Sequence, residues 1–325
     1  MSEGILRYVC VSSRKGGAKD AVARAELRSG HGIVGDAHAG PWHRQLSILD
    51  EADIDAMRAK GLALEPGAFG ENLVVAGLDL ASVGIGTVLA VGAACLGITQ
   101  IGKVCHERCP IFYAAGDCIM PRLGLFAEVR RGATITPGEE VRVEELVPRS
   151  AWQAGVLTVS DRCAAGTMRD TAGPVVASTV AASVGAHVAW AGIVPDEVSA
   201  IERQLRDLVG RGLSLIVTVG GTGLAPRDVT PEATLALIER EVPGLAEAMR
   251  ATSAASTPNA WLSRAVAGTA GTTLIVNLPG SERAARENLL AIVPALRHAL
   301  AMLAGEQAHS ESDAGRATPA RGEGR

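Results

Sequence analysis

The stretch Leu215-Ile216-Val217-Thr218-Val219-Gly220-Gly221-Thr222-Gly223 constrains the fold of this chain more than any other. Its first five residues, all apolar or β-branched, read as a short buried parallel strand. The three glycines that follow leave no Cβ over the backbone, so peptide N–H groups there are free to cradle phosphate oxygens. A helix start comes next, with Thr230 as N-cap, Pro231 in the first turn and Glu232 complementing the helix dipole. Between turn and helix stand Arg227, a cation suited to phosphate, and Asp228, a carboxylate suited to Mg²⁺. The run lacks the Gly-Lys-Ser/Thr ending of a P-loop and the third glycine of a dinucleotide fingerprint. Taken alone, its glycines also fit an ordinary strand-to-helix turn.

Around this run, strand candidates at 155–159, 187–194, 214–219 and 273–278 alternate with helical segments. That alternation predicts an α/β three-layer sandwich with a largely parallel sheet. One intervening helix spaces Val198, Ile201, Leu205 and Leu208 along a single apolar face and carries Glu197, Glu202, Arg203 and Arg206 elsewhere. In open α/β sheets ligands lie beyond the carboxyl ends of the strands. Ser160, Asp161, Asp196, Gly220, Gly221, Thr222, Gly223, Gly280 and Ser281 all fall there. Asp196 follows Pro195 at a helix start and also reads as a cap. Ser281 opens a helix towards Leu303, where its hydroxyl caps the helix, binds a phosphate, or does both.

Gly220 to Thr234 resembles the signature of the molybdopterin adenylyltransferases, the MogA, MoaB and gephyrin G-domain type. The likeness continues through Gly155 to Arg162, Asp170 with Gly173, Ile193 to Glu197, Pro243-Gly244, Leu262-Ser263-Arg264 and Asn277 to Ser281, from near 153 to near 304. The resemblance implies that the terminal phosphate of molybdopterin attacks ATP and releases pyrophosphate. Asp228 and Asp196 match the family's functional acidic positions and are assigned to catalysis, Mg²⁺ binding and substrate positioning, with Asp161 a weaker candidate. Ser160, Asp161, Gly220 to Gly223, Arg227, Gly280 and Ser281 are the expected ATP and substrate contacts. The resemblance also implies a homotrimer.

Residues 1–148 differ in texture. Short β-branched runs broken by Gly, such as Gly86 to Gly92, and one plausible helix from Asp50 to Lys60 predict a mostly-β barrel. Gly32 to Gly40, Arg44 to Leu49, Phe69 to Leu73, Gly124 to Val129 and Pro137 to Glu139 are similar to successive signatures of the MOSC family. That resemblance implies a reactive cysteine late in the barrel, and a domain that binds, sulfurates or hands on the molybdenum cofactor. Cys109 is the best match, with Arg108 and His106 placed to favour its thiolate. Pro110 follows this cysteine where the family has Pro before it, so Cys105 and Cys118 stay in contention. Three cysteines and His106 within 105–118 leave zinc or inert buried thiols as other readings. His38 and His43 read as structural, hydrogen-bonded residues or as contacts to an anion.

At 325 residues the chain accommodates two domains, 1–148 and 152–307, with a polar tail at 308–325 expected to be disordered. A net charge of −4 and 3% aromatic residues offer neither the basic stripe nor the stacking platform of a nucleic-acid binder. Six irregularly spaced cysteines suggest reduced thiols in the cytoplasm. The uncharged windows Leu80 to Gly102 and Gly173 to Pro195 are broken by Gly; they read as paired barrel strands and as a helix followed by a strand, not as membrane spans. The leading expectation is a fusion enzyme of molybdenum cofactor biosynthesis that supplies a molybdenum insertion enzyme or molybdoenzymes. A non-catalytic cofactor carrier and a sulfur transferase acting through Cys109 are the alternatives.

Overall fold

The computed structural model describes residues 3–103, 113 and 118–305. The first half is built from β1 (Glu3–Val11), β2 (Asp20–Val22), β3 (Ala25–Arg28), β4 (Gly32–Ile33), β5 (Leu46–Asp50), β6 (Leu73–Ala76), β7 (Val88–Val91), β8 (Ala94–Ile101), β9 (Leu125–Arg131), β10 (Thr134–Ile135) and β11 (Glu140–Glu145). Seven of these run in the order β11-β7-β8-β9-β5-β6-β1, and the pairing of β1 with β11 closes them into a barrel. Closure leaves few free edges, and among the described residues β2 alone prolongs the sheet beyond β1. In β1, Gly4 and Leu6 are buried; a register shift between Leu6 and Tyr8 then moves the set that packs into the barrel core to Val9 and Val11. Leu6, Ile48, Leu73, Leu89, Leu96, Ile98 and Leu125 fill the interior. The expected helix spans Glu51–Arg58, with the Asp50 carboxylate accepting the Ala52 N–H as its cap.

The second half comprises β12 (Gln153–Val159), β13 (His187–Val194), β14 (Leu215–Val219), β15 (Arg240–Glu241), β16 (Ala267–Ala270) and β17 (Thr273–Leu278), in the order β13-β12-β14-β17-β16-β15. The first four are parallel, and β16 and β15 are antiparallel additions, so the sheet is mixed where the sequence suggested a largely parallel one. The reason is local: Gly271, at φ +56°, and Thr272 join β16 to β17, a connection far too short for a parallel crossover. Val156, Val217 and Val276 belong to one apolar cluster with Val176, Met249 and Leu289. Leu157, Ile216 and Ile275 belong to another with Ile201, Leu205 and Leu208. Of the apolar face read on helix Val198–Gly210, Val198 proves exposed, because it opens the first turn at the helix edge.

Both uncharged windows resolve as expected, into β7 and β8 and into helix Ala172–Thr179 followed by β13. No helix among the described residues is long and apolar enough to cross a membrane.

Candidate functional site

Strands β12, β14 and β17 end side by side, and their following residues are packed backbone to backbone. Gly220 adopts φ +107° and donates its N–H to the Leu278 carbonyl at 3.0 Å; a Cβ there would lie 2.4 Å from the Val159 oxygen. A Cβ on Gly280 would lie 3.2 Å from the Gly220 Cα. Glycine at 220 is therefore a steric requirement of three converging strands as well as a phosphate-loop signal. Gly221, at φ +64°, leaves no room for a side chain beside the Thr230 hydroxyl.

Thr230 corrects one expectation. Val229 is the N-cap residue of helix Thr230–Leu235, and the Thr230 hydroxyl donates to the Gly220 carbonyl at 2.9 Å instead of capping. Below it, the fully buried Asn277 donates through Nδ2 to the hydroxyls of Thr218 and Thr234, each at 2.9 Å. The loop thus rests on a satisfied polar layer.

Asp228 lies across the loop, with Oδ2 accepting the Ala225 N–H at 2.8 Å. It lines a cleft of about 400 Å³ together with Gly221, Thr222, Gly223, Pro279, Gly280, Arg250, Ser253, Ser263 and Asn288. Ser281 caps helix Glu282–Leu303 by accepting the Ala284 N–H, the capping use of its hydroxyl.

The remaining acidic candidates form a neighbouring network outside the cleft lining. Asp161 and Asp196 exchange hydrogen bonds, and Arg227 donates to both Asp161 oxygens at 2.9 and 2.6 Å. The Arg227 hydrogen bonds hold Asp161 below the usual carboxylate range. Burial, with Asp161 and Asp228 nearby, pushes Asp196 up. Asp196 does not cap a helix: helix Val198–Gly210 starts after Glu197, and the Asp196 carboxylate is spent on the Asp161 N–H. Ser160 caps helix Asp161–Ala164. The Asp170 carboxylate ties Thr158 to Gly173, accepting the Thr158 hydroxyl at 2.7 Å and the Gly173 N–H at 2.9 Å.

Sequence reasoning missed Arg264 as a site residue. Its N–H donates to the Thr222 carbonyl at 2.9 Å and its Nε to the Gly223 carbonyl at 2.7 Å; its two Nη groups reach the Asp228 carbonyl and the Glu232 carboxylate. One guanidinium therefore grips the loop before and after its tip. Arg250 in turn holds the Ser263 and Ala265 carbonyls on either side of it. Arg264 fell within the Leu262-Ser263-Arg264 motif match, but nothing in the local pattern around either arginine pointed to the loop at 222–228, which Arg264 reaches only through the fold.

The barrel holds a separate buried cluster. Lys19 Nζ pairs with Asp36 Oδ2 at 2.6 Å, and that carboxylate also accepts from the Ser12 N–H, Asn72 Nδ2 and the His38 N–H. Burial pushes the Asp36 carboxyl up, but hydrogen bonds from His38 and Lys19 outweigh it and hold the group well below the usual range. Burial drives the nearby Cys10 thiol up to about 12. His38 and His43 are both hydrogen-bonded within the protein, His38 to Lys19 and Trp42, His43 to Gln100. Cys118 is buried; Cys105 and Cys109, like the tail, lie outside the described residues.

Residues 155–298 match the family described as a probable molybdopterin binding domain, and residues 35–142 match the MOSC domain. Over 150 residues, 46% of this chain, it is 44% identical to the molybdenum cofactor synthesis protein cinnamon of Drosophila melanogaster, covering 25% of that protein. It is 40% identical over 152 residues to a molybdenum cofactor biosynthesis bifunctional protein of Synechococcus elongatus, with 47% of each chain covered. It is 43% identical over 137 residues to the molybdopterin adenylyltransferase of Haemophilus influenzae, covering 42% of this chain and 70% of that one. The chain thus spans from a quarter to about half of the two longer relatives and most of the shortest. The loop, the acidic positions beside it and these matches place the chain in the molybdopterin adenylyltransferase family of molybdenum cofactor biosynthesis proteins, with a MOSC domain ahead of the family domain.

Proposed function

We propose that the carboxyl-terminal half adenylylates molybdopterin. An oxygen of the molybdopterin terminal phosphate attacks the α-phosphorus of ATP, the bond from that phosphorus to the oxygen bridging to the β-phosphate breaks, and pyrophosphate leaves. The observation that carries this reading is the cleft beyond the strand ends that Gly221, Thr222, Gly223, Asp228 and Gly280 line together. Backbone amides at such a turn suit phosphate oxygens, and fixed dipoles there stabilise developing charge without reorganising.

Among the described residues no three His, Cys, Asp or Glu side chains converge as a metal site. Asp228 and Asp196 are nonetheless hard oxygen donors, and Mg²⁺ needs only one or two carboxylates when phosphates and water complete its shell. When bound, Mg²⁺ would neutralise charge on the ATP phosphates. Arg264 fixes the loop that carries Asp228, and Arg227, paired with Asp161 beside the cleft, is a cation suited to phosphate.

The proposal extends to the remaining architecture. Apolar clusters on both faces of the second sheet support a three-layer arrangement, and domains at 1–148 and 152–307 fit the gap between β11 and β12. The barrel's part, in this reading, is to bind, sulfurate or hand on the cofactor in the cytoplasm. A homotrimer and delivery to a molybdenum insertion enzyme or molybdoenzymes complete it.

The test is pyrophosphate release and adenylylated product on mixing the chain with ATP, Mg²⁺ and molybdopterin, beside Asp228→Ala. Product from the wild type and none from the variant is expected. Equal turnover by both would remove Asp228 from the site, and no turnover by either would remove the activity.

A further inference from the structure

The segment joining the two halves is not a free tether. Between β11 and β12 the chain has seven residues, 146–152, and they are hydrogen-bonded onto the barrel. Val147 is buried; its carbonyl accepts from the Gly84 N–H at 2.8 Å and from the Thr87 hydroxyl at 3.1 Å. The Arg149 N–H donates to the Ser82 carbonyl at 2.8 Å.

Further contacts among the described residues cross from barrel to second sheet. Ile85, only 5% exposed, belongs to the apolar cluster of Leu157, Leu205, Leu208 and Leu213. Next to it Gly86, at φ +96°, makes room for the His187 imidazole, whose Nε2 would lie 2.2 Å from any Cβ there. His43 sits between the halves, with Nε2 3.0 Å from Gln100 Oε1 in the barrel and Nδ1 3.2 Å from Asp207 Oδ1 in the last turn of helix Val198–Gly210. Arg211 fixes the other Asp207 oxygen at 2.5 and 2.9 Å, and His43 and Arg211 are 12% and 14% exposed. An apolar plug, a steric fit and an oriented polar pair make an interface with the anatomy of a specific contact.

The position of this interface matters as much as its existence. His187 is the first residue of β13, Asp207 and Arg211 precede β14, and the linker enters β12 at Gln153. All mark the amino-terminal ends of the parallel strands. The glycine loop, Asp228 and Gly280 lie beyond their carboxyl ends. A seven-residue strand such as β12 separates the two ends by roughly 20 Å at about 3.3 Å per residue.

We propose that the barrel is locked as a rigid partner onto the amino-terminal ends of the second sheet, through Ile85, Gly86–His187 and His43–Asp207–Arg211, and so stands at the opposite end from the candidate cleft of its own chain. The barrel is then neither a lid on that cleft nor a swinging arm reaching it. On the function proposed above, a cofactor leaving the cleft reaches the barrel of the same chain only by release into solvent. The lock itself does not depend on that reading.

Scanning calorimetry and small-angle X-ray scattering of the full chain test it, with Mg-ATP binding followed alongside. The wild type is expected to unfold in one transition and to keep one radius of gyration from low to high salt. Asp207→Ala combined with Ile85→Ser should split the transition and enlarge the radius while Mg-ATP affinity stays unchanged. Asp207→Asn, which leaves the barrel's own packing intact, should move both readouts in the same direction. Two separate transitions in the wild type, variants that match it, or Mg-ATP affinity lost with the junction would each overturn the proposal. A wild type that unfolds as one unit but binds no ATP would support the lock and sink the adenylylation reading.

Discussion

Asp161 and Asp196, 35 residues apart in the chain, each accept the other's backbone N–H, at 2.7 Å into Asp196 Oδ2 and 3.0 Å into Asp161 Oδ1. This exchange staples the loop after β12 to the loop after β13, and Arg227 adds the loop after β14 by gripping both Asp161 oxygens. Three strand ends therefore share one electrostatic knot beside the cleft.

The knot sets a pH dependence. Asp196 is raised and Asp161 lowered, so as pH falls Asp196 takes up a proton first, and the anionic form that the proposed metal or substrate contact requires is lost there first. The acid limb of the adenylylation profile should follow Asp196. Arg227→Met should raise the Asp161 pKa, read by carboxyl NMR titration. An acid limb unchanged in Asp196→Asn would assign it elsewhere.

Gly223 does not sit at positive φ, so its requirement is space: a Cβ there would meet Asp228 Oδ2 at 2.8 Å. Gly223→Ala should displace that carboxylate and lower kcat with little loss of thermal stability. Steady-state kinetics beside a melting curve measure both, and wild-type kcat would show that the carboxylate position is not limiting.

In the barrel, Asp36→Asn leaves Lys19 buried opposite a neutral amide. Breaking one partner of a buried ion pair costs about 3–5 kcal/mol, and urea unfolding should register a loss of that order. The lowered Asp36 pKa stabilises the fold above the unfolded carboxyl value, near 4, and that contribution is lost as pH falls towards the folded pKa. Acid unfolding should therefore begin at higher pH in Asp36→Asn than in the wild type.

Cys10, fully buried with its thiol raised to about 12, should resist alkylation in the native chain at pH 8 and react only after denaturation. Mass spectrometry of iodoacetamide-treated native protein checks this, and rapid labelling of Cys10 would mean that the β1 wall opens.

Local pattern carried much of this protein. The run Leu215 to Gly223 determined a strand, a tight turn and a phosphate-suited backbone, because β-branching and missing Cβ atoms act within a few residues. The motif resemblances extended this to the family and to both halves of the chain. Tertiary structure alone decided that Thr230 holds Gly220 instead of capping, because its hydroxyl meets that carbonyl only when the loop folds back. The Arg264 clamp spans 41 residues to Gly223, and the antiparallel edge of the sheet depends on a two-residue turn. The barrel's docking at the amino-terminal strand ends follows from register and closure between distant segments, which no periodicity in the sequence encodes.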